Sequence, residues 1–249
     1  MTQFLVLLLC FGFTMIFARA LKSWPVPFYL VAAAVAGGAM CLTYSPAPDP
    51  LLRGFAFVVQ KGYVGFAFLA IVMFIGVFDE RGWVRQRLQP IRGELSLVSI
   101  VLMGAHVIPY ALTYGGMVGK LHVLRPSIVV SLALAAVILV LFAVLAVTSV
   151  KRVKRSMRAV AWKRVQQLAY VFFVLVLVHL IGYLVVPAQA ASPEALGSLA
   201  YYGVVYGAYA VARLARWRVD RRAGNCPASS RREEELSASS VDDASATCA

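Results

Sequence analysis

Three histidines occur in the chain, and two of them, His106 and His179, fall deep inside long apolar runs. An ionisable side chain at membrane depth is costly, so each such residue marks a candidate ligand, relay or pathway. His106 follows Arg92 by fourteen residues, and His179 follows Gln166 by thirteen. At ~1.5 Å per helical residue, both imidazoles would lie about 20 Å from the basic ends of their segments, at one level of a bilayer. Two neutral imidazoles facing each other across a bundle supply the axial positions of a six-coordinate b-type haem iron. The same pair would also suit a proton relay, or plain hydrogen-bonded helix packing. Tyr110, Phe172, Phe173 and Tyr183 would give bulk around a porphyrin at that level. The third histidine, His122, lies near Tyr114 and Lys120 in a short connecting stretch, where it could meet an acceptor or a metal ion, or serve no special purpose.

Helices that cross a bilayer must position these residues, and the composition calls for them. The chain has 249 residues, of which 61% are apolar and 14% charged. A soluble domain is closer to ~45–50% apolar and ~25% charged. The net charge of +13 alone would fit a nucleic-acid binder, but the apolar content excludes one. Seven stretches reach or approach the ~20 apolar residues that span a ~30 Å hydrocarbon core. They run over about 2–18, 25–45, 60–78, 94–114, 127–150, 165–187 and 194–214. The expected fold class is therefore all-α: a polytopic membrane helix bundle of about seven transmembrane helices, with six as the alternative if the first span is a signal peptide. Residues 1–222 form the membrane domain, and 223–249, rich in Ser, Ala, Asp, Glu and Arg, read as a disordered cytoplasmic tail.

Charge orients the bundle. The connections after spans one, three and five, together with the C-terminal segment, carry 20 of the 24 Lys and Arg residues. By the positive-inside rule these face the cytoplasm and the N-terminus faces out. The densest cluster is the loop 151–164. Cys10 and Cys41 lie in apolar runs and Cys226 and Cys248 in the tail, with no metal-binding spacing. Gly203 and Gly207 form a small-xxx-small pair expected to serve internal packing more than a dimer face.

Two segments carry a resemblance. Arg92-Gly93-Glu94-Leu95, followed by Gly104-Ala105-His106-Val107-Ile108-Pro109-Tyr110, is similar to the first ligand helix of the ferric-reductase-like transmembrane family. Thr148-Ser149, the basic run from Lys151 to Arg155, and the stretch from Trp162 through Gln166 and Tyr170 to His179 resemble the second. Within that family the style is nearest to the haem-binding membrane subunit of bacterial methionine-sulfoxide reductase systems, and the likeness covers about residues 60–215. It implies haem b held by His106 and His179. Where the family has an inner histidine on its second ligand helix this chain has Gln166, and Arg92 or Gly93 takes the corresponding place on the first. One haem, near the outer face, is the expectation, with Gln166 and Arg92 as degenerate inner-haem positions.

The function so implied is a multi-pass b-type cytochrome of the bacterial cytoplasmic (inner) membrane, the electron-transfer subunit of an oxidoreductase. The sequence shows no Gly-x-Gly-x-x-Gly after a strand, so no flavin or NAD(P)H domain of its own is expected. Electrons would come from a separate donor, a quinol or a flavoprotein, and leave to an external acceptor or partner reductase. Membrane lipid is the other expected partner, and nucleic acid is not one. The competing readings are a proton-coupled transporter, against which the absence of paired broken helices counts, and a non-catalytic membrane scaffold.

Overall fold

A computed structural model shows the fold and describes residues 2–45, 49–117, 119 and 126–224. Those residues form ten α-helices and one 3₁₀ turn, with no strand among them. The helices are α1 (Thr2–Ser23), α2 (Pro25–Thr43), α3 (Pro50–Gln60), α4 (Tyr63–Ile75) and α5 (Trp83–Leu88). The 3₁₀ turn (Gln89–Ile91) leads into α6 (Arg92–Gly115), and α7 (Pro126–Ser149), α8 (Lys151–Ser156), α9 (Ala159–Gln189) and α10 (Pro193–Gly224) follow. Six helical stretches are long and apolar enough to cross a membrane, or seven if the bent pair α3 and α4 counts as one span. The protein is a multi-pass membrane helix bundle, and large exposed apolar side chains such as Leu8, Ile16, Leu30, Val140 and Val174 face lipid.

The chain divides into two compact units, Met1–Tyr206 and Gly207–Ala249. In the first, α1 and α6 pack on α4, α2 packs on α3 and α6, and α7 runs along α9. Leu21, Ala67, Ile75, Leu88, Ile91 and Leu95 make a core where α1, α4, the 3₁₀ turn and α6 meet. Ala36 and Ala39 of α2 meet Val59 and Ala105, small residues that bring backbones close. The closest approach is between α4 and α6. A Cβ on Gly65 would stand 3.2 Å from the main-chain nitrogen of Met103, and Ser99 Oγ donates to the Gly65 carbonyl at 2.8 Å. Of the second unit the described part is the end of α10, where Arg216 pairs with Asp220 at 3.0 Å and Arg221 lies 4.1 Å over the Trp217 ring.

Four expectations need correction. The third span does not run over 60–78. It starts ten residues earlier, at Pro50, and breaks at Lys61 and Gly62 with a 43° bend. Asp49 caps α3 by accepting from the Leu51 N–H at 2.8 Å, and Pro50 suits its first position. Gly62 adopts the left-handed backbone (φ 77°) that ends a helix, and its N–H donates to the Val59 carbonyl at 2.9 Å. The basic loop 151–164 is largely helical, comprising α8 and the start of α9. The last helix continues past 214 to Gly224, into the segment read as tail, and ion pairs and a cation–π contact one turn apart support that extension. Finally, Cβ atoms on Gly203 or Gly207 would meet nothing within 4 Å among the described residues, so no close helix contact forms at this pair there. His122, Lys120, the cysteines of the tail and residues 225–249 lie outside the described residues.

Candidate functional site

The break in the third span creates half of the site. A helix leaves its last carbonyls without intrahelical partners. The Gln60 carbonyl, at the end of α3, takes a hydrogen bond from Nδ1 of His106 on α6 at 3.0 Å. The turn is crowded: a Cβ on Gly62 would stand 3.2 Å from Met103 Sδ and 3.3 Å from His106 Cγ. The second imidazole is anchored alike. Nδ1 of His179 on α9 bonds the main-chain carbonyl of Ser131 on α7 at 3.2 Å. Gly182, one turn beyond His179, lets α9 settle there, since a Cβ at that position would come within 3.3 Å of Ser131 Oγ. That hydroxyl is buried without a hydrogen-bond partner.

A carbonyl oxygen can only accept. Each Nδ1 must therefore carry the proton, and in the neutral ring each Nε2 holds a lone pair. This is the tautomer of a metal-ligating histidine, whose far nitrogen is held by a carbonyl or carboxylate. Both rings are half-buried. His106 stands nine residues before the end of α6 and His179 ten before the end of α9. The two helices touch each other little, and α7 packs against both. Each ring thus has its Nδ1 held by a main-chain carbonyl and its Nε2 left as an acceptor, on two helices that both pack against α7. Among the described residues no group of three or more His, Cys, Asp and Glu comes together, so a tetrahedral zinc-type site does not form there.

Lys61, at the break between α3 and α4, lies beside this pair through Tyr110. Its ammonium donates to Tyr110 Oη at 3.4 Å, lies 5.5 Å from the Phe57 ring centroid, and is within electrostatic reach of Tyr63, Tyr183 and His106. The Tyr110 ring is 5.0 Å from that of His106 and stacks on Tyr114 at 6.3 Å. Tyr110 is thus beside His106, and Tyr183 follows His179 by four residues on α9. Phe172 and Phe173 are placed otherwise. They precede His179 by seven and six residues, about 9–10 Å along the helix. Phe172 stacks on Phe142 at 5.5 Å, and Phe173 stacks on Tyr206 at 4.2 Å. Both are spent on helix packing.

At the basic end, the degenerate positions are also occupied by protein contacts. Gln166 Nε2 donates to Thr148 Oγ1 at 3.1 Å, and Trp162 Nε1 donates to the Thr148 carbonyl at 3.0 Å. Arg92 is half-buried at the start of α6, and a Cβ on neighbouring Gly93 would lie 3.7 Å from the Ser149 carbonyl. Two residues on is a group the sequence did not single out. Glu94 is buried, accepts from Tyr29 Oη of α2, and pairs with Lys151 Nζ at 2.7 Å. Its only signal was an acid one turn inside an apolar run.

Comparison with known proteins adds one relative. A protein of Treponema pallidum (strain Nichols), described as uncharacterized, is 29% identical over 211 residues, 84% of this chain and 58% of that protein. The chain thus spans about 58% of the length of the relative it matches. No family model and no solved structure matches.

Proposed function

We propose that the protein is a membrane b-type cytochrome subunit, with His106 and His179 as the axial ligands of one haem near the less basic face. The observation that carries this reading is the shared tautomer: both Nδ1–H groups are committed to main-chain carbonyls, at 3.0 and 3.2 Å, which leaves both Nε2 lone pairs for a metal. When bound, the haem would supply reversible one-electron carriage, which no side chain here supplies alone. The protein's own part is to fix the two imidazoles, hold a low-dielectric wall of helices around them, and set a positive charge nearby at Lys61. Gln166 is committed to Thr148, which supports one haem over two. Electrons would arrive from a separate quinol or flavoprotein and leave to an external acceptor or partner reductase, in a bacterial cytoplasmic membrane.

Haem content tests the proposal. Purified protein, supplied with haem during expression, is expected to give about one b-type haem per chain by pyridine-haemochrome assay, and each of His106→Ala and His179→Ala to lose most of it. Wild-type protein that takes up no haem overturns it.

A second reading draws on the break in the third span. Broken helices with a buried cation at the break are a feature of carriers, and Lys61, His106 and His179 would then relay protons. Haem-free protein reconstituted in vesicles that moves protons down an imposed gradient, and stops doing so as Lys61→Met, would favour it.

A further inference from the structure

A cavity of about 290 Å³ lies at the basic end of the bundle, between the last turn of α1 and the α5 segment. Its walls include Arg19 and Lys22 of α1 and Trp83, Gln86 and Arg87 of α5, and none of its lining residues is acidic. Arg19 and Lys22 are exposed and pair with no carboxylate among the described residues. Arg87 is held in place: its Nε donates to the Met15 carbonyl at 2.8 Å and its guanidinium lies 5.7 Å from the Trp83 ring centroid. Three cations, an amide donor and an exposed indole therefore converge on one open hollow.

We propose that this hollow binds the phosphate of an anionic phospholipid headgroup. Three features favour that chemistry. Cations left without acidic partners around a cavity gain charge-assisted hydrogen bonds from a phosphate, and guanidinium matches its geometry. The site sits where α1 ends and α6 is about to begin, alongside the cluster Arg81, Arg85 and Arg92, which is headgroup depth on the basic side of the membrane. Trp83, 65% exposed, is the amphipathic ring that favours that depth. A volume at the lower end of the ~300–1,000 Å³ typical of ligand sites suits a headgroup, with the acyl chains outside along the apolar surface of α1. The site is distant in sequence from the histidines and does not depend on the haem reading.

The test uses the full-length protein in a neutral detergent. Short-chain phosphatidylglycerol, short-chain phosphatidylcholine and inorganic phosphate are titrated separately by calorimetry. The expected result is saturable binding of phosphatidylglycerol well above phosphatidylcholine, weakened roughly twentyfold in Arg19→Ala/Lys22→Ala, since each cation near a membrane surface contributes about fivefold. Both side chains are exposed, so the variant should fold. The variant Lys163→Ala/Arg164→Ala removes the same charge from exposed positions elsewhere on the basic end and should bind within about twofold of wild type. Inorganic phosphate binding as tightly as the lipid would support the site while assigning its ligand to a soluble phosphate. Equal losses in the two double variants, or no preference for the anionic lipid, would overturn the proposal.

Discussion

The His106 Nδ1–H donates to the Gln60 carbonyl across 3.0 Å, and that carbonyl is available because the third span breaks immediately after it. A continuous helix would have committed the same oxygen to an intrahelical N–H. The break and the imidazole thus form one device: the chain interrupts a membrane helix and uses the exposed acceptor to fix a ring in one tautomer. Ser131 does the same for His179 from an unbroken helix, through the second lone pair of its carbonyl.

Gly62 is the residue this device depends on. Its positive φ strains any side chain there, and an added Cβ would press on Met103 Sδ and His106 Cγ at 3.2 and 3.3 Å. Gly62→Ala is expected to cost about 1–3 kcal/mol of stability and to lower haem occupancy. Gly54→Ala, with nothing within 4 Å of its added Cβ, should be neutral or gain up to about 1 kcal/mol. Thermal unfolding in detergent compares the two, and equal effects would contradict the role given to Gly62.

The Glu94 group predicts an asymmetry between its partners. Glu94 is buried, while the Lys151 side chain is 63% exposed. Glu94→Ala strands the Tyr29 hydroxyl and should cost about 1–3 kcal/mol. Lys151→Ala removes a largely solvated partner and should cost under ~1 kcal/mol. Unfolding midpoints of the two variants check the order, and a larger loss for Lys151→Ala would refute it.

Gln166 separates one haem from two. If its amide serves only to bind Thr148, Gln166→Ala costs about 1 kcal/mol of stability and leaves the haem-to-chain ratio unchanged. A halved ratio would mean that a second haem occupies the basic half.

Lys61 should set the redox potential. A fixed positive charge near a haem iron held by the two histidines would favour the reduced state, so Lys61→Met lowers the midpoint potential, by roughly 70 mV if the charge acts from about 10 Å at an effective dielectric constant of ~20. Spectroelectrochemical titration reads this directly. An unchanged or raised potential would remove Lys61 from the site.

Much of this architecture was legible in the sequence because bilayers impose strong rules. Long apolar runs gave most of the spans, and both histidines fall inside them, on α6 and α9. The break at Gln60–Gly62 was hidden, since the apolar run resumes on both sides and a single Lys-Gly step resembles a span boundary. The contact of Lys61 with Tyr110 was hidden with it. Glu94 was hidden for a similar reason: its partners, Tyr29 and Lys151, lie 65 positions before it in one case and on a different helix in the other. The stacking of Phe172 on Phe142 and of Phe173 on Tyr206 was hidden too, since it depends on the rotation of α9 against its neighbours.

The central claim is that His106 and His179 together ligate one iron. Electron paramagnetic resonance of the oxidised, haem-loaded protein tests it most directly. A low-spin ferric signal typical of two imidazole ligands is predicted, giving way to a high-spin signal or to loss of haem in each of His106→Ala and His179→Ala. A low-spin signal that survives unchanged in either variant would contradict the account.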